Sequence, residues 1–93
     1  MELSGKRVTA SPHVLVRAME GESVLLNLDR ESYFGLDEVG TRMWTALVES
    51  PTVDDAVRVL EAEYDVDSQA LWTDLGRFLG ELEDAGLVEV HDP

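Results

Sequence analysis

The chain has 93 residues, 44% of them hydrophobic and 29% charged, which suits one globular domain with a single modest core. It carries no cysteine, so disulfides, zinc–thiolate sites, iron–sulfur clusters and cysteine nucleophiles are excluded together. Its net charge of −13 would repel a polyanion or an anionic membrane surface and would favour a neutral or basic partner.

Residues 1 to 12 read as a loose lead-in without a signal-peptide apolar region. "HVLVRAM", 13 to 19, alternates in the manner of a half-buried strand. Gly21 marks a turn, and "VLLNLD", 24 to 29, follows as a second strand with Val24, Leu26 and Leu28 on one face. A polar turn over 29 to 32 leads into a short third strand, "SYFGL", 32 to 36. Tight turns between consecutive strands predict an antiparallel meander. Tyr33 and Phe34 are adjacent and therefore point to opposite faces. One ring enters the core and the other needs a different partner; alternation alone does not decide which.

The period then changes. Asp37 is an N-cap, and Val39, Met43, Trp44, Leu47 and Val48 recur at helical spacing. Thr52 caps a second helix, lined by Val53, Ala56, Val57 and Leu60, to about Tyr64. After the break "DVDS" a third helix runs from about Ser68 to Asp84, with Gly86 as its C′ residue. "LVEV", 87 to 90, is an apolar tail suited to docking on the core. The predicted architecture is α+β: a three-stranded antiparallel meander followed by three helices, similar to a winged helix-turn-helix. It forms one domain over residues 1–93 with an ordered core at about 13–90.

On the third helix Leu71, Leu75, Phe78, Leu79 and Leu82 share one broad arc. Trp72 lies at one edge, with Gly76 and Gly80 beyond it, and two glycines in a helix interior suggest a close approach by a neighbouring element or a ligand. Asp74 borders the arc on the opposite flank. Catalytic chemistry is poorly supplied. The two histidines, His13 and His91, have no metal-ligand spacing, and no phosphate-binding glycine motif occurs. "DVDSQA" begins like a calcium loop but has Ala70 where glycine is needed and Gly76 where glutamate is needed. These observations predict a non-enzyme without metal or cofactor. The winged-helix likeness raises DNA binding, but the third helix offers Arg77 alone against Asp74, Glu81, Glu83 and Asp84.

From about residue 13 to residue 90 the chain resembles the PqqD-like domains. The matching residues are Leu25 to Asp29, then Tyr33, Phe34, Gly35 and Leu36, then Met43 and Trp44. Thr52 and Val53, the "EYDVD" break at 63 to 67, and Asp74, Phe78, Leu79, Leu82, Gly86 and Leu87 complete the set. Asp37 departs from the asparagine frequent there, and Trp72, Gly76 and Gly80 depart from ordinary helix formers. The resemblance implies a recognition element for ribosomally made, post-translationally modified peptides. A stand-alone chain of this size is most similar to the leader-binding subunit of lasso-peptide biosynthesis, which would deliver its precursor to a leader peptidase and a macrocyclase in the cytoplasm. The alternative within the family is a PqqD-type peptide chaperone for a radical-SAM enzyme. The implied binding mode is addition of the leader as a strand beside the third strand, against the third helix. The residues expected to form that site are Arg30, Glu31, Ser32, Tyr33, Phe34 and Gly35 from the strand and its turn, and Leu71, Trp72, Asp74, Leu75, Phe78 and Leu79 from the helix.

Overall fold

The computed structural model describes residues 3–92. Its elements are β1 (Arg7–Ala10), β2 (Val14–Met19), β3 (Glu22–Asn27), β4 (Ser32–Leu36), α1 (Glu38–Glu49), α2 (Val53–Glu63), α3 (Ser68–Asp84) and β5 (Val88–His91). Strands β2, β3 and β4 form the antiparallel meander, with Leu15, Leu26 and Tyr33 in one cross-strand row and Val16, Leu25 and Phe34 in the next. The expected fold class holds: one meander followed by three helices.

The helices begin and end where their caps dictate. The Asp37 carboxylate accepts the Gly40 N–H at 2.7 Å, Thr52 Oγ1 accepts the Asp55 N–H at 3.2 Å, and Asp67 accepts the Ala70 N–H at 3.1 Å. Each satisfies a donor that the first turn cannot pair internally. The apolar stripes of the helices meet the inner face of the sheet. Leu25, Leu36, Trp44, Leu47, Val57, Leu60, Leu75, Leu79 and Leu82 are buried there in one cluster. Ser23, buried on the same face, exchanges a hydrogen bond with Thr41 of α1 at 2.8 Å.

Three expectations need correction. The N-terminal segment is not a loose lead-in. Leu3 and Val8 are buried, and β1 pairs antiparallel with β5 from Arg7–His91 to Ala10–Val88. The apolar tail therefore docks by completing a second, two-stranded sheet. The segment is further fastened by Asp54 of α2, which accepts the Gly5 N–H at 2.7 Å and the Ser4 hydroxyl at 3.0 Å. Next, the second predicted strand begins and ends earlier, as β3 over Glu22–Asn27: Val24 and Leu26 share a face as expected, opposite the buried Ser23, Leu25 and Asn27, and Leu28 lies exposed in the turn. Finally, Gly76 and Gly80 mark no close approach by a neighbouring element among the described residues. A Cβ at Gly76 would make only ordinary contact, 3.8 Å from Leu3 Cδ1, and one at Gly80 would meet nothing within 4 Å. No helix among the described residues is long and apolar enough to cross a membrane.

Candidate functional site

β4 hydrogen-bonds to β3 along one edge, and among the described residues its other edge has no strand partner. Its inward residues, Phe34 and Leu36, face the helices; Tyr33 and Gly35 face away. This decides the orientation that alternation left open. Phe34 is half-buried and packs against the core, whereas Tyr33 is 77% exposed on the outer face.

The C-terminal end of α3 is tied to the turn before β4. At the turn before β4, Arg30 Nη1 donates to the Asp84 carbonyl at 2.8 Å, and Asn27 Nδ2 donates to the carbonyls of Ala85 and Gly86 at 3.1 and 3.2 Å. Beyond the other end of β4, the first half of α3 meets the start of α1 around a pocket of about 230 Å³. Val39, Met43, Tyr64, Val66, Ala70, Leu71 and Asp74 line it, so its wall is apolar apart from one carboxylate. Arg42 and Glu63, next in sequence to Met43 and Tyr64, join α1 to the end of α2 through a two-pronged ion pair, Nε to Oε2 at 3.0 Å and Nη2 to Oε1. That hydrogen-bonded pairing raises the Arg42 guanidinium above its ordinary value and lowers the Glu63 carboxyl below its own. Both groups therefore stay charged over the physiological range, and the pair holds together the two elements that flank the pocket.

The expected site residues divide. Leu71 and Asp74 line the pocket, whereas Phe34 on β4 and Phe78 on α3 are half-buried against the core. Asp74 is exposed at the rim and held by Arg77 at 3.3 Å. Leu75 and Leu79 have no exposed surface. Arg30, Glu31 and Ser32 are exposed at the entry to β4, with Glu31 in the left-handed region at φ 52°. Gly35 opens onto free space. Trp72 is set apart from this group. It lies about 160° around the helix from Asp74, on the flank where Gly76 meets Leu3. There its ring packs half-buried against the core. The pocket residues Val39, Met43, Tyr64, Val66 and Ala70 were missed as a site because they come from three elements. The one visible signal was Val66, an apolar residue inside a polar break.

The family model described as "Coenzyme PQQ synthesis protein D (PqqD)" matches residues 22–88. No curated protein matches the chain. Among solved structures, "TbiB1 in Complex with the TbiA(beta) Leader Peptide" is similar at 38% identity, over 87% of this chain and 94% of that one, with a TM-score of 0.82. The matched residues span β3 to the start of β5, which include the elements that build the open strand edge and the pocket, and on that evidence the chain belongs to the PqqD family.

Proposed function

We propose that this protein binds the leader segment of a ribosomally made precursor peptide, as a non-catalytic recognition element of a lasso-peptide pathway. One observation carries the reading most directly: the similarity over nearly the whole chain to TbiB1, a protein whose structure holds the TbiA(beta) leader peptide.

The mechanism is strand addition. A peptide backbone pairs with the free edge of β4, whose outward N–H and C=O groups otherwise bond only to water. These bonds set orientation and direction but little sequence preference, because every peptide offers the same backbone. Preference comes from side chains on alternate residues of the guest. Those facing inward meet Phe34 on the strand side and Phe78 on the helix side. Where the guest runs past Leu36, a side chain enters the pocket lined by Val39, Met43, Leu71 and Ala70. Asp74 at its rim accepts a donor from that side chain, which favours an apolar residue carrying one polar tip, such as tyrosine. Two or three such anchors at about 1.5–3 kcal/mol each, less the cost of ordering the peptide, support micromolar or tighter binding.

The bound leader would then be presented in the cytoplasm to a leader peptidase, and the core peptide to a macrocyclase. A PqqD-type carrier serving a radical-SAM enzyme would use the same slot with a different downstream partner. DNA binding gains nothing from the geometry, since Arg77 is already paired with Asp74.

The reading is tested by fluorescence anisotropy with a fluorescein-labelled TbiA(beta) leader peptide. Saturable binding with Kd of about 1 µM or tighter is expected. Absence of saturable binding at about a hundredfold higher concentration would contradict it.

A further inference from the structure

The C-terminal end of α3 is closed in two stages. Its own chain supplies the first: Ala85 N–H donates to Glu81 O, Gly86 N–H to Glu83 O at 2.9 Å, and Leu87 N–H to Leu82 O at 2.9 Å. Gly86 sits at φ +71°, which makes this a Schellman cap. Three carbonyls beyond it, of Asp84, Ala85 and Gly86, take their donors from the β3–β4 hairpin through Arg30 and Asn27.

Asn27 is buried, at 5% exposure, and all its hydrogen-bonding capacity on this side is used. Its amide nitrogen serves the carbonyls of Ala85 and Gly86, while its oxygen accepts the N–H groups of Asp29 at 3.1 Å and Arg30 at 3.2 Å. One side chain thus shapes the turn before β4 and ties that turn to the end of α3. Arg30 completes the fastening. The last turn of α3 holds no basic residue and is crowded by Glu81, Glu83 and Asp84, although the helix dipole favours a cation there. The Arg30 guanidinium supplies one, lying over Gly86 so closely that a Cβ at that position would stand 2.8 Å from Arg30 Cζ.

These three bonds tie the hairpin to the last residue of α3 and the two residues that close it. A guest strand must lie about 4.8 Å from β4 and still reach the helix with its side chains, so the spacing of the two walls matters.

We propose that Asn27 is a positioning residue for the peptide slot, fixing the separation of β4 and α3 from the turn end without touching the ligand. The inference rests on the leader-binding reading for its functional half. Asn27→Leu keeps the branched shape at Cγ and removes both the donors and the acceptor. Because the chain has no cysteine, nitroxide labels at Gly35→Cys and Arg77→Cys report the separation of the two walls without background labelling. In the free protein the unsubstituted Asn27 background gives a single narrow distance distribution, and Asn27→Leu broadens it. With the labelled TbiA(beta) leader peptide, measured on unlabelled protein well below the unfolding temperature, Asn27→Leu raises Kd by about tenfold. A residue with a merely structural role would lower the unfolding temperature and leave both readouts unchanged. That result, in a variant whose amide NMR spectrum remains dispersed, overturns the proposal. If Asn27→Leu does not fold, Asn27→Asp decides, because it keeps the side chain's shape and its acceptor for the Asp29 and Arg30 N–H groups and removes the donors to the Ala85 and Gly86 carbonyls. Broadening supports the proposal and an unchanged distribution overturns it. Failure of the unsubstituted protein to bind the peptide would overturn the leader-binding reading and the functional half of this inference, while the distance readout still decides whether Asn27 sets the slot.

Discussion

Phe34→Ala and Tyr33→Ala form a matched pair that separates the two faces of β4. Phe34 is half-buried opposite the fully buried Leu25. A fully buried Phe→Ala change costs about 3–5 kcal/mol, so a half-buried one costs about 2 kcal/mol. For a domain of this size that lowers the unfolding temperature by about 10 °C and leaves the protein folded at room temperature. The binding effect is separate. If a guest strand covers about a quarter of a side chain of about 200 Å², removing that surface loses about 1 kcal/mol, or about five- to tenfold in Kd. Tyr33, 77% exposed on the outer face, should change stability by less than about 0.5 kcal/mol and affinity by less than about twofold. Thermal unfolding followed by circular dichroism gives the first quantity, and anisotropy titration with the labelled TbiA(beta) leader peptide gives the second. Loss of binding in Tyr33→Ala with full binding in Phe34→Ala would refute the assignment of the inner face.

Three further substitutions probe other parts of the account. Ala70→Trp places a ring in the pocket from an exposed helical position; titration should show at least about a tenfold loss of peptide affinity with stability within about 0.5 kcal/mol of the parent. Val8→Ala should cost about 2 kcal/mol in denaturant unfolding, because Val8 is buried beneath the β1–β5 ladder; a neutral result would mean that the N-terminal strand is dispensable. The Asp54 carboxyl is held below its ordinary value by hydrogen bonds from the Gly5 N–H and the Ser4 hydroxyl. Folding therefore favours its ionised form. That contribution is complete above the ordinary carboxylate range and is lost as pH falls through the lowered folded value. Asp54→Asn should accordingly reduce the fall in unfolding temperature between neutral pH and about pH 3.

The helices were legible because their signals are local. Asp37, Thr52 and Asp67 each bond the backbone three residues on, and Gly86 supplies the one left-handed conformation that ends α3. The meander was legible from its turns. What escaped depends on partners distant in sequence. β1 is four residues long, and its partner begins at Val88, so nothing near Arg7–Ala10 announces it. Period two in β3 said that Val24 and Leu26 share a face but not which face the core would take, and the same ambiguity left Tyr33 and Phe34 unassigned. The slot residues on α3 were visible as an apolar arc, yet the arc could not separate Leu75 and Leu79, which are sealed, from Leu71, which lines the pocket. Asn27 was hidden for a different reason. An asparagine ahead of Asp29 and Arg30 reads as turn chemistry, and half of its hydrogen bonds are of that kind; the other half go to the two residues that close α3, almost sixty residues later.

Residue-resolved amide exchange across Ser32–Leu36, with and without saturating TbiA(beta) leader peptide, tests strand addition most directly. Amides of β4 that point toward β3 are protected in both states. Those on the open edge should exchange freely in the unbound protein and at least about tenfold more slowly in the complex. Peptide bound to saturation with the open-edge rates unchanged would place the guest elsewhere on the molecule.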